Sequence, residues 1–124
     1  MAWDIVLLEQ VDTWFLKLCE TDPATAALVE QAIDRLADEG PGLGRPLVDT
    51  LEHSKLRNLK ELRPGSRGRS EIRILFVFDP GRQAILLIAG DKAGRWSRWY
   101  EEAIPLAERR YADWLAGRYE EGDR

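Results

Sequence analysis

An α+β fold follows from three features of the sequence: two stretches of helical periodicity near its start, an apolar meander across residues 56 to 89, and a helical tail from Trp96. The 124 residues suffice for one compact domain spanning 1–124 and leave no room for a second of ordinary size. Trp3-Asp4-Ile5-Val6-Leu7-Leu8 is short and rich in β-formers, which predicts an opening strand. Val11, Trp14, Phe15 and Leu18 then fall at i, i+3, i+4 and i+7, one apolar stripe of a helix. Asp22-Pro23 supplies an N-cap followed by proline at the first helical position, and Val29, Ala32, Ile33 and Leu36 repeat the same spacing. Two antiparallel helices are expected. Gly40-Pro41-Gly42-Leu43-Gly44-Arg45-Pro46 stops the second helix and opens a loop to about Ser54, too apolar at Leu47, Val48 and Leu51 to be a linker between domains.

Leu56 to Arg63 predicts a strand, and Pro64-Gly65-Ser66-Arg67-Gly68-Arg69-Ser70 is turn material. Ile72-Arg73-Ile74-Leu75-Phe76-Val77-Phe78 is apolar on both faces apart from its arginine, as a central strand should be. Asp79-Pro80-Gly81-Arg82 is a tight turn, after which Gln83 to Ala89 completes an antiparallel meander that Gly90-Asp91-Lys92-Ala93-Gly94 closes. In the tail, Ala107, Tyr111, Trp114 and Leu115 form one stripe, Pro105 kinks or restarts the helix, and fraying is expected beyond Gly117. The expected order is β-α-α-β-β-β-α, with two N-terminal helices packed on a mostly antiparallel sheet.

Composition excludes several kinds of chemistry. The longest apolar run, Ala84 to Ala89, is far short of the roughly 20 residues that cross a bilayer. With one cysteine (Cys19) and one histidine (His53), an internal disulfide, a zinc site and a Cys-His pair are unavailable within a protomer, and His53 reads as a loop surface residue. The start of the chain has no basic region before its apolar stretch, so cytoplasmic localisation is the expectation. The net charge of −4 conceals an asymmetry: residues 1–54 carry net −8 and residues 99–124 net −3, whereas residues 55–98 carry eleven basic groups against four acidic ones, net +7. A polyanion would be met by that middle segment; the alternative is exposed charges paired with the acidic helices.

Within that segment, Leu59, Glu61 and Arg63 share one face of an extended strand while Lys60 and Leu62 share the other, and Arg73, Leu75 and Val77 oppose Ile72, Ile74, Phe76 and Phe78. A charge in a central strand needs a groove or a partner, and Glu61 is the nearest candidate. The two form either a structural cross-strand ion pair or an anion clamp beside a carboxylate base, the arrangement phosphodiester chemistry uses. Lys92 follows the third meander strand, and Arg95-Trp96-Ser97-Arg98-Trp99-Tyr100 interleaves cations with aromatics that either stack bases or dock the tail on the sheet.

Lys60-Glu61-Leu62-Arg63, the basic turn, Glu71 to Asp79, Gly90-Asp91-Lys92, and Trp96 to Tyr100 followed by Ala103-Ile104-Pro105-Leu106-Ala107 together resemble the HigB branch of the RelE/ParE toxin superfamily, over nearly the whole chain. The resemblance implies a RelE-like fold and a bacterial type II toxin: a metal-independent mRNA endonuclease without cofactor, often acting on the ribosome and neutralised by a HigA-like helix-turn-helix antitoxin. It implies that Arg73 contacts the scissile phosphate, that Arg63 and Lys92 are the flanking basic residues, and that Tyr100 is the aromatic of the following helix. Glu61 stands where RelE-type enzymes favour lysine, so Glu61 or Tyr100 is expected to handle protons. Lys55, Lys60, Arg67, Arg69, Arg95 and Trp96 are the expected RNA contacts around this centre. From a different class, a ParE-like toxin that inhibits gyrase or another protein shares the fold without nuclease chemistry.

Overall fold

Among residues 2–65 and 68–119, which the computed structural model describes, five strands form one sheet and three α-helices cover it. The order is β1 (Asp4–Leu7), α1 (Glu9–Thr21), α2 (Pro23–Glu39), a 3-10 turn (Gly40–Gly42), β2 (Val48–Thr50), β3 (Lys60–Leu62), β4 (Ile72–Asp79), β5 (Gln83–Asp91) and α3 (Trp96–Leu115). In space the strands run β1-β5-β4-β3-β2, with β1 parallel to β5 and every other pairing antiparallel.

Local chemistry sets the boundaries. Asp22 caps α2 as its sequence position suggests: Oδ1 accepts from the Thr25 amide at 3.2 Å and Oδ2 from the Thr25 hydroxyl at 2.6 Å. Glu9 and Asp12 place negative charge in the first turn of α1, where the helix dipole favours it. Gly40 ends α2 at φ +56°, and a Cβ there would lie 2.4 Å from the Trp3 indole nitrogen. The Trp3 side chain therefore closes over the end of α2.

Both faces of the sheet are covered, which is why β4 is apolar on both sides. On one face Ile72, Ile74 and Phe76 pack with Val11, Val29, Ala32 and Leu36 of α1 and α2. On the other, Leu75 and Val77 pack with Ile85, Leu87, Trp99, Ala103 and Ala107, burying one face of α3. Each fully buried aliphatic or aromatic side chain of this kind stabilises by about 1.5–3 kcal/mol. Leu75 pairs with Ile88 but Phe76 with Leu86, so β5 carries one extra residue and bulges at Leu87. The Arg110 guanidinium of α3 donates to the Leu87 carbonyl at 2.9 Å, at the point where the ladder is interrupted.

The expected order needs one addition, because β2 lies inside the stretch read as a loop. Three residues are too few to set up a detectable alternation, and β2 exists by pairing at the edge with β3. The strand expected from Leu56 to Arg63 is only Lys60–Leu62. Its first half is instead bent, and the two residues before it are fastened to α3, with the Ser54 hydroxyl and the Lys55 amide donating to Glu108 at 2.8 and 2.7 Å. Pro105 neither breaks nor restarts α3, which runs through it. Leu115 is exposed rather than on the buried stripe. Of the stretch past Gly117 expected to fray, Arg118 and Tyr119 are described: the Arg118 amide donates to the Asp113 carbonyl and the Tyr119 hydroxyl to Gln10. The rest of that expectation, residues 120–124, and the RNA contact expected of Arg67 lie outside the described residues.

Candidate active site

At the open end of the β3-β4-β5 meander, five polar side chains converge. The alternation of β3 turns Glu61 toward α3 and Lys60 away, and the alternation of β4 brings Arg73 to the same side. The Glu61 carboxylate is buried, with 0% side-chain exposure. Its Oε1 accepts from Arg63 Nε at 2.8 Å and lies 3.8 Å from Arg73 Nε, while Oε2 accepts the Tyr100 hydroxyl. The cross-strand pair expected between Arg73 and Glu61 therefore exists as an ion pair at longer range than a hydrogen bond.

Arg73, 14% exposed, is held chiefly by others: Nη1 donates to the Ile72 carbonyl at 2.8 Å and Nη2 to Glu71 at 3.2 Å. Its Nε is buried and lacks a hydrogen-bond partner. Arg63, 33% exposed, is fastened from two sides, by Glu61 and by Asp49 of β2 at 3.2 Å. The bond to Glu61 raises the Arg63 pKa above its ordinary value. Asp49 is lowered, first by the Thr50 amide that donates to it and also by the neighbouring arginines.

Lys92 closes the site from the β5 side. Its amide donates to the Glu71 carbonyl at 3.0 Å, fixing the turn after β5, while Asp91 Oδ1 accepts from the Glu71 and Ala93 amides. The Lys92 ammonium stands 4.8 Å from the centre of the Trp96 ring and 5.1 Å from that of Tyr100. Burial lowers its pKa, and the charge of Arg73 lowers it further. Tyr100 is pushed up to about 12 by burial and by its bond to Glu61. The hydroxyl is thus protonated at neutral pH and aimed at the carboxylate.

Two glycine and tryptophan positions fit this geometry together. Gly90 stands opposite Arg73 in the ladder, and a Cβ there would lie 2.8 Å from the Trp99 indole nitrogen. Trp99 packs edge-on to Tyr100, with ring centres 5.2 Å apart. Absence of a side chain at Gly90 lets α3 settle close enough for Tyr100 to reach Glu61. Trp96 does not share the buried face with Trp99 and Tyr100: it is 58% exposed and has a left-handed backbone at φ +42°, a rare conformation for so bulky a residue.

The structure thus brings together Glu61, Arg63, Arg73, Lys92 and Tyr100, with exposed Trp96 at the rim. The outer basic residues are dispersed. Lys60 points to the opposite face and donates to the Thr50 hydroxyl at 2.9 Å. Arg95 is paired with Glu102, and Lys55 and Arg69 are exposed. Sequence reasoning missed Asp49 and Glu71, which orient the two arginines. The signal for Glu71 was its i, i+2 spacing to Arg73; none existed for Asp49, because its strand was not legible. Among the described residues, no group of three or more His, Cys, Asp or Glu side chains is placed to hold a metal ion. Chemically, the cluster offers a fixed cationic surface for a phosphodiester, a buried carboxylate and a protonated phenol.

Comparison with known proteins shows the family to which the chain belongs. The family model described as phage derived protein Gp49-like (DUF891) matches residues 16–112. The candidate toxin HigB3 of Mycobacterium tuberculosis is 51% identical over 115 residues, covering 93% of this chain and 96% of that protein. The candidate toxin HigB2 of the same organism is 55% identical over 109 residues, covering 88% of this chain. The chain spans about half of that relative's length, 53%. Among solved structures, a double arginine-to-alanine mutant of the E. coli toxin RelE in the free state superposes with a TM-score of 0.52 over 85% of this chain and 97% of that one. At 16% identity this is a likeness of fold.

Proposed function

Because the chain belongs to the Gp49-like family and to the HigB branch of the RelE superfamily, we propose that it is the toxin of a type II toxin-antitoxin pair, an mRNA endonuclease that inhibits translation. The observation that carries the nuclease reading is the gathering of Arg63, Arg73 and Lys92 around the buried Glu61-Tyr100 pair. Three fixed cations complement the charge that grows on a phosphorane transition state, and two of them carry the planar fork that binds paired phosphate oxygens.

In the reaction, the 2'-hydroxyl of the RNA loses its proton to water, its oxygen attacks the adjacent phosphorus, and the bond to the 5'-oxygen breaks as the protonated Tyr100 hydroxyl gives that oxygen a proton, which the phenol regains from solvent. The products are a 2',3'-cyclic phosphate, or the 3'-phosphate formed from it by water, and a 5'-hydroxyl. Arg73 and Arg63 hold the phosphate oxygens, and Lys92 approaches from the opposite rim. Trp96 offers an exposed ring on which a flanking base stacks. Lys55, Arg69 and Arg95 supply the outer electrostatic field. The protein acts in the cytoplasm on mRNA at the ribosome, and its partner is a HigA-like helix-turn-helix antitoxin. No described helix is long and apolar enough to cross a membrane.

The test is cleavage of mRNA by the purified protein, with and without ribosomes, in excess chelator. Cutting that survives chelation and leaves cyclic or 3'-phosphate ends is the expected result. Loss of all cutting on chelation, or 5'-phosphate products, contradicts the reaction.

A further inference from the structure

Glu61 is the only charged residue that is fully buried among the described residues. A buried carboxylate is costly unless its oxygens are satisfied, and here both are. Oε1 accepts from Arg63 Nε and lies beside Arg73 Nε, while Oε2 accepts the Tyr100 hydroxyl. These partners come from just past β3, from the neighbouring strand β4 and, 39 residues on from Glu61, from α3. A general base must reach the proton it removes, directly or through one water. Glu61 has no exposed surface for that contact, whereas Arg63 and Tyr100 are only partly buried.

We propose that Glu61 is a positioning residue and not the proton acceptor: it fixes the Tyr100 hydroxyl and the Arg63 guanidinium on the floor of the site, and those groups meet the RNA. This deepens the nuclease reading above and rests on it. Tyr100 is tied to the sheet at this point through Glu61, since the other charged side chains that meet the phenol, Arg63, Arg73 and Lys92, are cationic and cannot accept its proton. Without the carboxylate, the phenol loses its acceptor and Arg63 keeps Asp49 alone, so both groups drift from the geometry that the phosphate requires. The same contact favours the protonated phenol, giving a readout in the protein without RNA.

The experiment uses Glu61→Gln, Tyr100→Phe and the double variant. Single-turnover cleavage of mRNA is measured together with an NMR titration of tyrosine labelled at Cζ, in which Tyr100→Phe identifies the Tyr100 signal. The expected results are that Tyr100 titrates near pH 12 in the wild type and clearly lower in Glu61→Gln, and that the double variant is slower than the worse single variant by less than about threefold, because both changes break one arrangement. If Glu61→Gln does not fold, Glu61→Asp, which withdraws the oxygens by one methylene, takes its place. An unmoved Tyr100 titration overturns the proposal. So does a double variant whose loss is the product of the single losses, with Glu61→Gln alone costing on the order of 10³-fold or more, as removal of a general base would. Failure of the wild type to cut any RNA contradicts the nuclease reading, and the titration then still decides whether Glu61 fixes Tyr100.

Discussion

At Arg73 the outer guanidinium nitrogens are occupied by the Ile72 carbonyl and by Glu71, while Nε faces Glu61 without a hydrogen bond. Removing the side chain leaves Glu61 with Arg63 and Tyr100. Arg73→Ala should therefore change the melting temperature little while cleavage falls on the order of 100-fold or more, the usual cost of one transition-state donor. Steady melting and single-turnover rates check both halves, and Arg73→Lys should not restore the rate because an ammonium lacks the fork. Tyr100 gives a prediction in pH. Its value is raised to about 12, so the fold favours the protonated phenol. That stabilisation is complete below the unfolded-chain value of about 10 and is lost as pH rises from there toward 12. Denaturant melts across that window should show a steeper alkaline loss for the wild type than for Tyr100→Phe, and parallel curves would refute the contact. At this scale the strand period put Glu61 and Arg63 on one face, and the need of a charge in a central strand for a partner pointed Arg73 to Glu61. It could not show that Tyr100 would complete the cluster, because a helical position says nothing about which strand residue it meets.

The site depends on how closely α3 approaches β5. Gly90→Ala would push a methyl group into the buried Trp99 ring and displace the start of α3. We expect destabilisation of about 1–3 kcal/mol, as for other overpacked cores, with a fall in cleavage larger than in Trp96→Ala, whose ring is exposed. Equal and small effects on stability and cleavage would show that the approach does not matter. The long elements were legible because their periodicity spans several turns or a whole strand: the stripes Val11 to Leu18 and Val29 to Leu36 both face the sheet, and β4 is apolar on both faces because helices cover both. The short ones were not. β2 and β3 are three residues each and are defined by pairing, and Leu56 to Leu59 reads as the start of a strand although the segment just before it is held to α3 by Glu108, about fifty residues away, which accepts from Ser54 and Lys55. Pro105 is a similar case, since packing of Ala103, Ile104 and Ala107 on the sheet holds α3 together across a residue that would otherwise interrupt it.

Over the whole molecule, a net charge of −4 coexists with a +7 segment from residue 55 to 98. If that segment meets RNA through several phosphates, binding to ribosomes or RNA should weaken by orders of magnitude between about 50 and 200 mM salt. Binding that is flat over that range would remove the electrostatic part of the account. If an antitoxin docks on the acidic first half and over the cationic site, it would silence the toxin. Copurification with the cognate antitoxin should abolish cleavage, and a complex that cuts at the free rate would contradict it. The central claim, that this cluster cuts mRNA, is tested most directly by primer extension on cellular mRNA after induced expression of the wild type and of Arg73→Ala, with a thermal melt of each purified protein. The account predicts discrete new 5' ends with the wild type and their disappearance with a variant that melts at nearly the same temperature. A folded Arg73→Ala that produces the same ends at the same rate would contradict it.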